Sequence, residues 1–259
     1  MDFFDVNAMI GPSPFGRLPF ESASELTCEM RRLGIRKAIL YHSLSRQNSP
    51  AGGNEALAAQ IEGHSELIGA MVLTPLIGRE FGGRETVLAN MRKWRVGAVR
   101  IFPFSHRFTL DPWNLEEIFA LTEAYMIPVM IDMKPNEDDM AGYAKLFELA
   151  GAYPGTPIVM LSTGYRHLRV TLKLMEKRPN LHLDTSTFLS FRGIEEIVSQ
   201  VGADRVLFGT RLPYLEGGVS VGRVLYADLS DADKRMIALG NAERLLAANR
   251  IFSGEEGGR

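Results

Sequence analysis

Eight short runs rich in isoleucine, valine and leucine recur along the chain, and a stretch of helical period separates each from the next. Strand-length apolar runs alternating with helix-length amphipathic segments are the pattern of repeated βα units, and so of a parallel sheet covered by helices. The runs predict strands over Phe3–Met9, Lys37–His42, Ile68–Leu73, Ala98–Phe102, Pro128–Asp132, Ile158–Leu161, Leu181–Thr185 and Val206–Thr210. Segments such as "ASELTCEMRRLG", "NLEEIFALTEAYM" and "GIEEIVSQVGADR" lie between them as helices. Helix terminators at Gly34, Gly97, Pro154-Gly155 and Pro179-Asn180 precede the following strands. Cys28, inside the first helical pattern, reads as a small core residue rather than a nucleophile.

Eight such units either close into a barrel or stay open as a doubly wound sheet. The open sheet usually carries a glycine-rich phosphate loop after its first strand. Here "MIGPSPFGRLPF" puts prolines where that loop needs backbone donors. The expected fold class is therefore α/β, a single-domain TIM (β/α)8 barrel, for which 259 residues is an ordinary length. No low-complexity linker divides the chain. Residues 1–252 read as the barrel, and 253–259 ("SGEEGGR") as a flexible tail.

Composition narrows the partners. The formal net charge is −2, which argues against non-specific binding to nucleic acid or anionic membranes. One cysteine rules out an internal disulfide and a cysteine-rich zinc site. The N-terminus "MDFFDVNAMIGP" has no basic, then apolar, leader pattern, and no apolar run reaches a membrane span. The expectation is a cytoplasmic protein, with a homodimer as a fold-level guess.

In a barrel of this kind, functional groups gather at the C-terminal ends of the strands. Strand one ends in Asp5-Val6-Asn7-Ala8-Met9, and alternation puts Asn7 and Met9 on one side, toward the axis. Strand four carries Arg100, strand five ends at Asp132, strand six is followed by Ser162, strand seven ends in Asp184, and strand eight runs into Arg211. His42 closes strand two and His106 lies in the loop after strand four, so both are candidates for acid/base work near neutral pH. His64 belongs to the opposite face, and His182 to the barrel's packing.

In this order the stretches "FDVNAMIG", "VGAVRIFP", "IPVMID", "PIVMLSTGY", "NLHLDTST", "GADRVLFGTRLP" and "GNAERLL" make the chain resemble the amidohydrolase-related family, the amidohydrolase 2 branch of the metal-dependent hydrolases. The resemblance covers almost the whole chain. It implies a TIM barrel that hydrolyses amides, lactones or related bonds, or decarboxylates small acids, typically with a divalent metal. It also implies metal ligands: a His-x-His pair ending strand one, histidines ending strands five and six, and an aspartate ending strand eight. The residues standing at those positions are Asn7 and Met9, Asp132, Ser162 and Arg211. Only Asp132 is a good ligand for a hard cation, and an arginine repels one. No metal site is expected at the usual place, and no cofactor.

Arg211 is instead expected to take the volume and charge of the metal, with Asp132 as its counter-ion, since an inward arginine without a partner is costly. Arg100 is a second cation for the mouth. Two arginines there favour a small carboxylate-bearing or other anionic ligand. The reading is a metal-independent hydrolase or lyase with Asp132, Arg211 and His42 as catalytic candidates. Asn7, Arg100, His106, Ser162 and Asp184 are the candidates for substrate contact. Arg46, Gln47 and Asn48, in the glycine- and serine-rich loop after strand two, are further candidates for contact with a polar ligand. The alternative is an inactive barrel, its arginine and aspartate filling a dead pocket, that binds a small molecule or serves as a scaffold.

Overall fold

The computed structural model describes residues 1–14, 16–133 and 140–254. Eight parallel strands follow one another around a sheet in sequence order: β1 (Phe3–Ile10), β2 (Ile35–His42), β3 (Leu67–Val72), β4 (Val96–Ile101), β5 (Val129–Asp132), β6 (Ile158–Leu161), β7 (Leu181–Asp184) and β8 (Val206–Leu207). The last strand is short, but the backbone beyond it keeps bonding to the first. Phe208 and Leu212 accept from Val6 and Met9 at 2.9 Å, and Arg211 donates to the Asn7 carbonyl at 2.8 Å. These bonds bring the sheet round to a (β/α)8 barrel.

Helices α1 (Ala23–Leu33), α2 (Ser43–Gln47), α3 (Pro50–Ile61), α4 (Ile77–Phe81) and α5 (Arg84–Lys93) surround the first half. After β4 come α6 (Pro103–His106), α7 (Glu116–Tyr125), α8 (Ala141–Ala152), α9 (Leu168–Lys177) and α10 (Gly193–Val201). The chain ends through α11 (Gly217–Leu225), α12 (Asp231–Arg235), α13 (Asn241–Ala248) and α14 (Arg250–Ser253). Why α1 forms is plain in its sequence. Ser22 and Glu25 cap its start reciprocally, and Gly34 ends it with φ 70°, donating back to Met30 and Arg31. Its buried face is Ala23, Leu26, Thr27 and Met30, the helical repeat of one stripe. Cys28 lies off that stripe and is exposed, which corrects its expected core role. Gly97 is also reassigned. It sits within β4, where a Cβ would come 2.6 Å from Ile68 and from Leu246, so its role is close packing rather than helix termination.

Two apolar layers follow from strand alternation. Phe3, Ile10, Leu40, Val99, Ile131 and Met160 face outward into the helices. Phe4, Val6, Ile39, Tyr41, Met130 and Leu207 fill the barrel interior, with Leu245 and Leu246 of α13 packed against the same cluster. Along β1 the register against β2 jumps from Asp5–Ala38 to Ala8–Leu40, one extra residue on β1. A bulge of this kind re-aims the side chains that follow it. Phe4 points inward before it, Val6 within it, and Met9 after it. Ser253 ends α14, while residues 255–259 of the expected tail lie outside the described residues, as do residues 134–139.

Candidate functional site

The C-terminal ends of the strands converge on a narrow crevice. It is lined by Asn7, Met9, Tyr41, Arg100, Asp132 and Arg211, with Arg46 and Tyr214 at its rim. The space left between these side chains is about 10 Å³, room for about one water. Arg100 forms its floor and is 2% exposed. Its Nη2 donates to Asp132 Oδ2 at 3.3 Å, and its guanidinium lies 4.2 Å from the Tyr41 ring and 5.0 Å from the Phe102 ring. Stacking on two aromatic faces and one carboxylate offsets part of the cost of burying this charge. Its Nε and Nη1 have no hydrogen-bond partner among the described residues. Burial pushes the Tyr41 phenol up, and the pull of Arg100 and Arg46 in the other direction is smaller.

The expected counter-ion pair is therefore changed. Asp132 is paired with Arg100, and the Arg211 side chain has no ion pair or hydrogen bond among the described residues. Arg211 is half-buried with φ 62°, a left-handed backbone that costs a residue with a Cβ on the order of 1 kcal/mol. Asp5 braces the turn just before it. Its carboxylate accepts from the Thr210 and Asn7 backbone N–H groups, both at 2.9 Å, and from the Thr210 hydroxyl. Burial raises the Asp5 carboxyl to about 6 against these hydrogen bonds.

Behind the crevice is a second polar knot. Asn7 Nδ2 donates to Asp184 Oδ2 at 3.1 Å and to Ser186 Oγ at 3.2 Å. Asp184 also accepts from the backbone N–H groups of Ser162 and Ser186. Gly209 makes the approach feasible, because a Cβ there would stand 2.5 Å from Asp184 Oδ2. Burial raises the Asp184 carboxyl, and its hydrogen bonds lower it by less. Ser162 has φ 59°, and its Oγ is buried without a partner among the described residues.

The histidines fall elsewhere. Tyr41 faces the axis, so His42, one residue on, does not line the crevice. A Cβ on Gly11 would come within 2.7 Å of its ring, and its Nδ1 accepts from the Leu44 N–H, capping α2. His106 Nε2 lies 3.1 Å from the Arg46 carbonyl, and its ring meets Phe102 edge-on. Burial lowers both imidazoles. Asn7, Arg100, Asp132 and Arg211 thus meet at the mouth, and Asp184 and Ser162 back them. His42 and His106 support α2 and its neighbour. The rim was harder to read from sequence, although Tyr41 follows Ile39 by two positions and shares its inward face. Arg46 Nε donates to Ser105 Oγ at 3.2 Å, and its guanidinium is 5.4 Å from the Phe102 ring.

Beside the crevice, with Asp132 as a common wall, lies a pocket of about 430 Å³. Phe104, Phe108, Leu110 and Met133 make it largely apolar, with Arg107 and Lys145 at its edge. A cleft of about 560 Å³ lies at the opposite end of the barrel, among Glu55, Glu62, His64, Lys93, Trp94 and Arg95. Strand ends contribute no functional groups there, and that end of a barrel serves stability.

The amidohydrolase family model (Amidohydro_2) matches residues 46–247, and the chain belongs to that family. No curated protein matches it in sequence. Among solved structures it is similar to an uncharacterised TIM-barrel protein from Bordetella bronchiseptica, at 20% identity and TM-score 0.71, over 96% of this chain and 99% of that one. It is also similar to 2,6-dihydroxybenzoate decarboxylase from Rhizobium, at 14% identity and TM-score 0.74, over 95% and 98% of the two chains. A third is 5-carboxyvanillate decarboxylase from Novosphingobium aromaticivorans, solved with manganese and 4-hydroxy-3-methoxy-5-nitrobenzoic acid, at 14% identity and TM-score 0.73, over 95% and 96%. Among the described residues no helix is long and apolar enough to cross a membrane.

Proposed function

We propose that the chain binds a small carboxylate-bearing molecule at the barrel mouth and acts on it as a hydrolase or lyase without a divalent metal, Arg211 standing where the family places a metal-ligating aspartate. One observation carries this reading. Three guanidinium groups, Arg46, Arg100 and Arg211, line one crevice with a single carboxylate, Asp132. Arginine grips carboxylates bidentately and stabilises oxyanion charge as it develops. Asp132, held beside Arg100, is the general base of this scheme, because His42 lies off the crevice. The apolar pocket across Asp132 takes the body of the molecule. The decarboxylases with which the fold is shared act on small acids by their names, which agrees with this class of ligand.

The donor set does not fit a divalent cation. Asn7 could offer only a neutral amide oxygen, Met9 is a soft thioether, and Asp132 is held by Arg100. Among the described residues, no three His, Cys, Asp or Glu side chains converge as metal sites require. Elemental analysis of the purified protein, with a turnover screen on lactones, amides and keto acids, tests the proposal. Turnover without stoichiometric metal is expected, with Arg211→Ala lowering kcat/KM by about a hundredfold, as loss of a charged oxyanion donor does. Stoichiometric zinc or manganese, or full activity in Arg211→Ala, overturns it.

The tightness of the crevice favours a second reading, an inactive barrel that binds a ligand or acts as a scaffold. Under that reading a small acid shifts the Tm while the whole screen stays silent.

A further inference from the structure

We propose that the ligand of this mouth is a small dianion, one that offers two anionic oxygens at separate points, as a dicarboxylate or a phosphate monoester does. This rests on the reading of the mouth as an anion site and goes beyond it in the charge required.

The charges and donors are out of balance for a monoanion. The crevice lining carries three arginines against one carboxylate, a surplus of two positive charges. Asp184 does not cancel it, since it lies behind Asn7 and is opposed by the field of Arg223, whose guanidinium is fixed on the carbonyls of Thr185, Ser186 and Phe188. The oxygens of Asp5 are taken up by Asn7 and Thr210. The unused donors tell the same story. Among the described residues Arg100 keeps Nε and Nη1 free at the floor, and Arg211 has no partner for any of its side-chain nitrogens. A guanidinium presents five N–H donors, and a carboxylate has only about four lone-pair sites, so one carboxylate leaves donors unfilled.

The two unfilled sets lie at different depths. Arg100 is buried at the floor, while Arg46 and Arg211 are half-buried nearer the rim. A second anionic group completes what the first leaves open. The free space holds only about one water, so the ligand enters as the unpartnered Arg211 side chain swings outward.

Isothermal titration at constant ionic strength tests this with matched pairs: malonate against malonamate, succinate against succinamate, glutarate against glutaramate, and methyl phosphate against dimethyl phosphate. At least one dianion is expected to bind about tenfold or more tighter than its monoanionic partner, and Arg46→Gln to narrow that gap to about threefold or less. Whether the carboxylate or the phosphate pairs show the gap identifies the source of the dianion. If both members of every pair bind equally, the dianion inference fails and the anion site stands. Should no member of any pair bind, the anion reading fails with it.

Discussion

Asp5 and His182 are ionisable side chains buried inside the barrel whose titrations push stability in opposite directions. Burial raises the Asp5 carboxyl from 3.8 to about 6. Between those values the folded state keeps a proton that the unfolded chain has released. The stability it contributes is full below pH 3.8 and lost as pH rises through 6. Burial lowers the His182 imidazole from 6.5 to about 4, with Arg244 and Arg205 adding to the effect. Its contribution is full above pH 6.5 and lost as pH falls through 4. Each shift corresponds to something on the order of 3 kcal/mol, so the two slopes largely offset each other from pH 4 to 6. Asp5→Asn keeps an oxygen for the N–H groups of Asn7 and Thr210 while removing the charge. Its urea-unfolding free energy, taken relative to the parent protein, is expected to rise with pH across that window. For His182→Leu the same difference is expected to fall. Differences of the same sign in both variants would refute the assignment of these slopes to the two side chains.

At the scale of elements, Arg46 reaches the crevice through the packing of two helices. A Cβ on Gly53 of α3 would overlap the backbone nitrogen of Ser45 in α2. Gly53→Ala must therefore push α2 outward, at a cost of about 2 kcal/mol or more, and Arg46 moves with it. At Gly52 a Cβ meets only the Ser49 side chain, 3.0 Å from its Oγ. Gly52→Ala is expected to be neutral or stabilising by up to about 1 kcal/mol, as alanine is in helices. Chemical denaturation and anion titration of the pair check this, and equal effects would sink the packing argument. All eight strands were legible, because buried parallel strands are continuous apolar runs and each is followed by a helical repeat. Arg100, Asp132 and Arg211 were legible as strand ends. The choice of Arg100 over Arg211 as the partner of Asp132 was not, since it depends on where two side chains reach. His42 was misjudged by one step of alternation, and Arg46 hangs on a contact between Gly53 and Ser45 that no periodicity encodes. The inward turn of Asn7 and Met9 was expected from strict alternation, whereas a bulge on β1 intervenes.

Over the whole molecule, the proposed function divides the two ends of the barrel between stability and binding. At the N-terminal end, α13 packs Leu245 and Leu246 against the interior cluster. Asn241 donates to the Ala203 and Val206 carbonyls at 2.7 Å, and Asn249 donates to Gly97 at 2.9 Å. Leu246 meets β4 at Gly97, where the strand gives up its side chain to let the helix approach. At the other end, among the described residues, Arg100 and Arg211 hold donors with no partner, an arrangement that costs folding free energy and that the proposed reading assigns to a ligand. Substitutions at the two ends should therefore separate. Leu246→Ala is expected to lower unfolding free energy by about 3 kcal/mol through the cavity it leaves. Its affinity for the best-bound anion should stay within about twofold, since no residue of α13 lines the crevice. Arg211→Ala is expected to do the reverse: stability within about 0.5 kcal/mol of the parent or above it, and anion affinity down by about tenfold or more. Paired urea melts and titrations on both variants decide the matter. A fall in stability for Arg211→Ala as large as that for Leu246→Ala, with binding unchanged, would make the mouth arginine a structural strut and leave the barrel without this division.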